Sequence, residues 1–164
     1  MAICQLATPE HRYHLSWLER PAWAGCLGRD RHGIFADFTV ATPHGSAGQR
    51  LRWIEPGVFW MGSPQDEPER DSNEGPRHRV TLTQGFWLAD TACTQALWRT
   101  VMGNNPSDFK DDEQCPVEQV SWNDVQDFLR KLEALLPGCE AHLPSEAQWE
   151  YACRAGSDTP FSFG

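Results

Sequence analysis

Alternation of apolar and polar residues predicts several strands in the first half of the chain. Residues 34–40 place every second side chain on an apolar face, as a half-buried strand does: Ile34, Ala36, Phe38 and Val40. The turn-rich residues 41–48 lead to residues 50–54, which we expect to form the antiparallel partner of that strand. A Pro-Gly pair then separates this partner from a further apolar stretch at residues 58–61.

Residues 63–77 are rich in Pro, Asp and Glu and have no apolar periodicity, which predicts a loop. The carboxylates do not follow the ligand spacing of a calcium-binding EF-hand. We therefore expect solvated side chains here: Asp66, Glu67, Glu69, Asp71 and Glu74. Residues 78–83 and 86–89 are strand-like, and Gln84 with Gly85 predicts a sharp turn or bulge between them.

Helical spacing replaces strand alternation in the second half of the chain. Thr94 is the predicted N-cap of a helix that runs to about Met102 and ends at Gly103. Ser121 caps a second helix, with Asp124 in its first turn, before a Pro-Gly stop. The predicted inward stripe of this second helix is Val125, Phe128, Leu129, Leu132, Leu135 and Leu136.

The third predicted helix lies within residues 143–156. Ser145 is a natural N-cap, and Gln148 three residues later completes a capping box. Gly156 supplies the left-handed stop. Trp149 and Tyr151 are large for so short a helix, so we expect it to dock tightly against a larger body.

The first thirty residues have mixed character and are interpreted as an N-terminal extension. We predict a helical turn around His11 to Glu19. Glu10, His11 and His14 are metal-ligand types, but a single His-x-x-His on a surface turn is expected to be solvated.

Five stretches, in order, resemble the sulfatase-modifying-factor family, that is, the formylglycine-generating enzymes and their relatives. They are residues 56–63, 74–82, 94–107, 116–124 and 143–156. The resemblance implies an α+β fold, the irregular, loop-rich relative of the C-type lectin fold, present here only in its N-terminal part and therefore incomplete. It divides the chain into an N-terminal extension with an added strand, residues 1–49, and the N-terminal half of the domain, residues 50–164. Eight tryptophans suit a loop-rich fold held by aromatic packing.

Composition narrows the possible partners. The chain carries 14 Lys and Arg against 23 Asp and Glu, a net charge of −9, which disfavours nucleic acid and anionic lipid. No run approaches the roughly 18 apolar residues of a membrane span. Residues 1–10 lack the basic and apolar regions of a secretory signal. We therefore expect a cytoplasmic protein without nucleic-acid or membrane partners.

The cysteines do not have the spacing of a zinc ribbon or a thioredoxin-type site, because none form a CxxC pair. In a reducing cytosol we expect free thiols: Cys4, Cys26, Cys93, Cys115, Cys139 and Cys153. In secreted members of the family, the position of Cys153 can form a disulfide with a C-terminal cysteine. Here we expect a buried free thiol instead.

No motif in residues 1–164 carries recognisable chemistry, since the chain lacks a GxSxG elbow, a phosphate-binding glycine loop, an HExxH helix and a dinucleotide fingerprint. The family's copper(I)-binding cysteine pair and its calcium-binding loops lie in the C-terminal half of the domain. We therefore predict no catalytic, cofactor-binding or metal-binding residue here. The matched residues are interpreted as scaffold, with Trp122 and Trp149 in the core, His78 and His142 hydrogen-bonded, and Arg154 near a helix end or a carboxylate.

Two functions follow from the resemblance. The first is a formylglycine-generating-type oxidase, which uses molecular oxygen and copper to oxidise a cysteine of a client protein to formylglycine. Related domains accompany iron-dependent sulfoxide synthases and pyoverdine-type maturation enzymes, so the reaction can differ. The alternative is a non-catalytic, lectin-like module that binds a ligand or protein, as in variable proteins diversified by retroelements.

For either function, the expected partner is a client protein, a peptide or another protein ligand. Residues 1–164 are interpreted as a fragment that needs the missing C-terminal half to complete its core. Alone, we expect them to be inactive and to unfold with poor cooperativity.

Overall fold

The computed structural model describes the backbone of residues 3–7 and 12–16 and the whole of residues 18–159. Antiparallel sheets and three helices are joined by long irregular connections, which confirms the predicted α+β, loop-rich fold. The elements are β1 (Ile3–Ala7), β2 (Arg12–Ser16), β3 (Cys26–Asp30), β4 (Gly33–Thr42), β5 (Gly45–Ile54), β6 (Gly57–Met61), β7 (His78–Leu82), β8 (Phe86–Ala89), α1 (Gln95–Met102), α2 (Trp122–Leu135) and α3 (Glu146–Arg154). No helix of these ranges is long and apolar enough to cross a bilayer.

The central sheet has four antiparallel strands in the order β3-β4-β5-β8. The predicted strand pair is confirmed, but the predicted turn at residues 41–48 is wrong in extent, because Thr42 already pairs with Gly45. The small residues after the turn allow close strand pairing rather than forming a loop. Gly48 illustrates this, since a Cβ there would lie 2.4 Å from the carbonyl oxygen of Phe38.

The core lies between one face of the central sheet and the helices α1 and α2. The aromatic rings of Trp98 on α1 and Phe128 on α2 stack at 5.1 Å between centroids. The buried cluster comprises Phe38, Val40, Leu97, Trp98, Val101, Phe128, Leu132 and Leu136. The predicted stripe of α2 is wrong at Leu135, which is 38% exposed. The helix ends there, and Leu136, with non-helical backbone, takes the buried position.

The predicted caps are confirmed because capping depends on neighbouring residues alone. The hydroxyl of Thr94 accepts from the N–H of Leu97, and Gly103 ends α1 in the left-handed region at φ 83°. Both predicted N-caps of α2 and α3 form complete capping boxes. In α3 the left-handed turn begins at Ala155, one residue before the predicted Gly156.

A second, two-stranded sheet pairs β6 with β7. The chain bends at Gln84, as predicted, but β7 and β8 enter different sheets rather than pairing with each other. Gly85 permits the crossing because a Cβ there would meet the ring of Trp53 at 2.3 Å. The polypeptide between β6 and β7 spans residues 62–77 and forms the predicted loop.

The N-terminal hairpin corrects one expectation. Residues 12–16 were expected to be helical and instead form β2, which pairs with β1. Their alternation of Tyr13 and Leu15 with polar neighbours suits a strand better than a helix. Glu10 and His11, two of the three metal-ligand types in the N-terminal extension, lie outside the described residues. The domain boundary predicted between residues 49 and 50 falls within β5 and stays a prediction.

Candidate functional site

A polar cleft lies between the loop of residues 62–76, here called the cleft loop, and α3. Its volume is about 890 Å³, within the range of small-molecule sites. The polar and aromatic side chains that line it include Ser63, Glu67, Glu69, Arg70, Glu74, His78, Glu146, Trp149, Glu150 and Arg154. The cleft thus combines a loop wall with a helical wall.

The loop wall is ordered around Ser63, which is only 4% exposed. The N–H of Ser63 donates to the carbonyl oxygen of Glu74 at 3.1 Å, and Nε of Arg70 donates to Oγ of Ser63 at 2.9 Å. The N–H of Asp71 donates to the Glu74 carboxylate at 3.1 Å. This bond, together with the Ser63 hydroxyl, holds the pKa of Glu74 below its usual range. The cleft loop is therefore held in place from within.

Gly62 fastens α3 to the start of the cleft loop. Its N–H donates to Oε1 of Glu150 at 2.9 Å, and its carbonyl accepts from Nη2 of Arg154 at 3.2 Å. Glu150 and Arg154, one helical turn apart, are themselves paired at 2.7 Å. The prediction that Arg154 lies near a helix end or a carboxylate is confirmed, since it lies in the last turn of α3 and pairs with Glu150. The backbone N–H and carbonyl of one glycine thus position both ion-paired side chains of the helical wall.

Tyr151 completes the attachment of α3 to β6. Its ring lies 5.3 Å from that of Phe59, and its hydroxyl lies 2.1 Å from where a Cβ on Gly57 would be. Burial raises the pKa of Tyr151, and the charge of Glu55 adds to the effect. Burial likewise raises the pKa of Glu55. Neither group lines the cleft, and the ring of Tyr151 packs against Phe59 outside it.

The cleft carries an excess of negative charge. Five Glu and two Arg line it, which gives 2 − 5 = −3 with His78 neutral. Trp149 stands in its wall with 58% of its surface exposed. Carboxylates accept hydrogen bonds from ammonium, guanidinium and peptide N–H groups, and an exposed indole face attracts cations. The arrangement therefore favours a ligand with positive charge and N–H donors.

Two tryptophans predicted to be in the core are exposed instead, which makes that prediction wrong. Trp149 precedes Tyr151 by two residues, about 200° around the helix, so docking through Tyr151 turns Trp149 away from β6. Trp122 is 67% exposed because it begins α2 before the buried stripe. Cys153, predicted to be buried, is also exposed.

His78 and His142 each form a hydrogen bond with a backbone carbonyl one or two residues away. Nδ1 of His78 lies 2.9 Å from the carbonyl oxygen of Pro76, and Nδ1 of His142 lies 2.9 Å from that of Leu143. The predicted hydrogen bonding is confirmed, although both side chains are exposed.

A second cavity, of about 530 Å³, lies within the apolar core between the central sheet, α1, α2 and residues 138–144. Aromatic rings line it, together with the thiols of Cys93 and Cys139. Burial raises the pKa of Cys93 to about 12. Burial and the charges of Glu133 and Glu140 raise the pKa of Cys139. Both side chains are therefore neutral thiols at physiological pH.

The described residues do not fit the copper or calcium that the resemblance implies. Copper(I) binds closely placed thiolates, whereas Cys93 and Cys139 are held protonated. Cys26, Cys115 and Cys153 are exposed free thiols on separate parts of the chain. Among residues 18–159, no three His, Cys, Asp or Glu side chains are grouped to hold a metal ion.

The cleft itself was not predicted from the sequence. Its carboxylates were interpreted as solvated, and the hydrogen bonds around Ser63 were not anticipated. The only local signal was the Glu150–Arg154 spacing, which places both side chains on one face of α3. Their common partner, Gly62, lies 88 and 92 positions away along the chain.

Comparisons with known proteins agree with this architecture. Residues 38–164 match the sulfatase-modifying factor enzyme 1-like domain. The chain is 45% identical over 49 residues to a protein named chaperone protein LppX from Paenibacillus barcinonensis, which covers 30% of this chain and 17% of that protein. It therefore spans less than a fifth of that relative.

Two solved structures are similar in fold. PvdO from Pseudomonas aeruginosa superposes with a TM-score of 0.64 at 24% identity, over 90% of this chain and 56% of PvdO. Treponema denticola variable protein 1 gives 0.60 at 24% identity, over 77% of this chain and 59% of that protein. The chain thus spans somewhat more than half of each.

Proposed function

The chain belongs to the sulfatase-modifying factor enzyme 1-like family, and from that premise we propose that it binds a peptide segment of a client protein within a formylglycine-generating-type domain. The polar cleft between the cleft loop and α3 is the observation that carries this proposal. Its two walls are fastened to each other at Gly62, so it exists before any ligand arrives. A preformed site loses less conformational entropy when a ligand binds to it.

The chemistry of the cleft suits a peptide that carries Lys or Arg. The net charge of the lining is negative, and Glu67, Glu69 and Glu146 lack an ion-pair partner among the described residues. Trp149 adds an exposed aromatic face beside these carboxylates. With a total charge of −9, the chain is poorly suited to nucleic acid or anionic membranes. We place it in the cytoplasm, bound to a client protein or peptide.

Oxidation of a client cysteine to formylglycine, with copper and oxygen, is proposed for a longer protein that contains this chain. The thiols described here do not fit copper, so these residues alone would bind a client without oxidising it. The polar cleft also supports the second candidate function, a non-catalytic binding module, because binding in the cleft requires no oxygen chemistry. In that case the longer protein also binds its ligand without oxygen chemistry.

Fluorescence anisotropy tests the binding proposal. We expect a labelled cysteine-containing peptide with two arginines to bind more tightly than its counterpart with two glutamates. Trp149→Ala and Glu146→Gln should weaken binding of the arginine peptide, while Trp60→Ala, which removes an exposed tryptophan outside the cleft, should not. Equal affinity for both peptides, or no effect of the cleft substitutions, would sink the proposal.

Oxygen uptake separates the two candidate functions. With copper(I) and the arginine peptide, the 164-residue chain is expected to consume no more oxygen than copper(I) and the peptide consume without the chain. Uptake above that background with the chain alone would contradict the proposal that the chemistry lies in the longer protein. In the longer protein, uptake above the background that accompanies formation of an aldehyde on the peptide supports the oxidase. Binding without uptake supports the non-catalytic module.

A further inference from the structure

The loop of residues 104–120, here called the Phe109 loop, presents an apolar side chain that no described part of the chain covers. Phe109 is 76% exposed, and Trp122, which begins α2 directly after the loop, is 67% exposed. Large exposed aromatic side chains on ordered backbone are uncommon and mark contact surfaces more often than ordinary surface does. Neither residue lines the polar cleft or the apolar cavity.

Buried polar side chains fix the Phe109 loop from below. Gln95 and Ser107 are both 0% exposed. Nε2 of Gln95 donates to the carbonyl oxygen of Phe109 at 2.6 Å, and Oε1 of Gln95 accepts from Nδ2 of Asn105 at 2.9 Å. The hydroxyl of Ser107 accepts from the N–H of Glu118 at 3.2 Å. Hydrogen bonds from the buried side chains of Gln95 and Ser107 therefore hold the Phe109 loop in place.

Glu118 fixes the same residue from the other side. Its Oε1 accepts from the N–H of Phe109 at 3.0 Å and also from the N–H of Asp108. Nε2 of Gln119 donates to Oδ2 of Asp108 at 2.7 Å. The N–H and the carbonyl of Phe109 are thus both hydrogen-bonded. The Phe109 side chain is therefore exposed although its backbone is held in place. A side chain held in this way loses little conformational freedom when a partner covers it.

The stretch of sequence that contains the two aromatic residues is acidic. Glu113 is neutralised by Arg99 at 2.8 Å. The remaining charged side chains of this part of the chain are Asp108, Asp111, Asp112, Glu118 and Asp124 against Lys110, which gives 1 − 5 = −4. A second copy of the chain would bring the same negative charges, which disfavours self-association through this surface.

We propose that Phe109 and Trp122 anchor a second polypeptide surface whose apolar pocket is rimmed by Lys or Arg side chains. Aromatic side chains that anchor a partner carry much of the binding free energy at protein interfaces. The neighbouring carboxylates favour a partner whose pocket is surrounded by basic side chains. The two side chains project from a loop and a helix end rather than into a cavity, which suits a polypeptide surface better than a small molecule.

A synthetic amphipathic peptide of Leu and Lys serves as the probe, labelled for anisotropy. We expect it to bind the wild-type chain, and to bind Phe109→Ser/Trp122→Ser at least about tenfold more weakly. The matched control Trp60→Ser, which loses an exposed tryptophan on β6, should keep wild-type affinity. Asp111→Asn/Asp112→Asn should weaken binding several-fold, and added salt should do the same.

Three results would overturn the proposal. One is an unchanged affinity of the double aromatic variant. Another is equal binding of peptides in which Ser replaces Leu or Glu replaces Lys. The third is loss of binding in Trp149→Ala but not in the aromatic variant, which would place the peptide in the polar cleft. If thermal unfolding shows that the aromatic variant is not folded, the Asp111→Asn/Asp112→Asn result decides between the outcomes.

Discussion

Gln95 holds three separate backbone and side-chain groups of the Phe109 loop in place. Fully buried in the first turn of α1, it bonds the carbonyl oxygens of Phe109 and Pro116 and the amide of Asn105. Gln95→Leu keeps a similar volume but leaves these groups without a partner. We expect a loss of about 2–3 kcal/mol in the free energy of unfolding, measured by urea denaturation. Gln65→Leu, at an exposed position, is the control and should change little.

Asp37 gives a pH-dependent prediction. Arg50 donates to both of its carboxylate oxygens, at 2.7 and 2.8 Å, and these bonds hold the pKa of Asp37 below its usual range. A lowered pKa in the folded state adds stability above the unfolded pKa of about 3.9, and this stability is lost as pH falls through the folded pKa.

Asp37→Asn should therefore be modestly less stable than wild type at pH 7, since the pair is partly exposed. The difference should shrink below about pH 4. Thermal unfolding of both proteins across this range measures it. A difference that grew on acidification would contradict the assignment.

At the scale of single residues, sequence reasoning succeeded where the cause was local. Ser121 and Ser145 were predicted as caps because their partners lie three residues away. Trp122, Trp149 and Cys153 were predicted as buried and are exposed. The burial of a helix face depends on what packs against it, and that information is not contained in a helix's own residues.

Among the elements, α2 offers a matched pair of leucines. Leu132 is 7% exposed and belongs to the core cluster, whereas Leu135 is 38% exposed. We expect Leu132→Ala to lower the free energy of unfolding by about 2–4 kcal/mol and Leu135→Ala by less than about 1 kcal/mol. Chemical denaturation of both variants tests this. Similar losses would restore the predicted stripe in which both leucines face inward.

Strand positions were readable from the sequence, but among strand partners only the antiparallel pairing of β4 with β5 was predicted. The alternation in residues 34–40 correctly predicted β4, and residues 78–89 correctly contained β7 and β8. The sequence predicts only a turn or bulge between these last two strands and does not reveal that each joins a different sheet. The Trp53 ring under Gly85, which directs the chain across, is contributed by a distant strand.

For the molecule as a whole, the size of the core decides how cooperatively the chain unfolds. Only ten hydrophobic side chains among residues 18–159 are buried, and a small buried core gives marginal stability. We expect the isolated chain to unfold with poor cooperativity, seen as a calorimetric enthalpy that exceeds the van't Hoff enthalpy. A sharp two-state transition would contradict this.

The polar cleft shows why a site at this scale escapes sequence reasoning. Its walls come from residues 62–76 and 146–154, and each wall is unremarkable when considered alone. Family resemblance predicted the fold correctly, because it depends on five ordered stretches spread along the chain. It did not predict the cleft, because the carboxylates of the loop and of α3 line a common site only when Gly62 joins the two segments.

That attachment has a consequence for dynamics. No residue of α3 is fully buried, and Gly62, Gly57 and Phe59 provide its main described contacts. Such a helix is expected to open locally while the core stays folded, so its amide protons should exchange with deuterium sooner than those of α1. A peptide bound in the cleft would slow exchange in α3 first. Deuterium uptake by α3, measured by mass spectrometry, therefore reports occupancy of the cleft without a fluorescent group on the protein or the peptide.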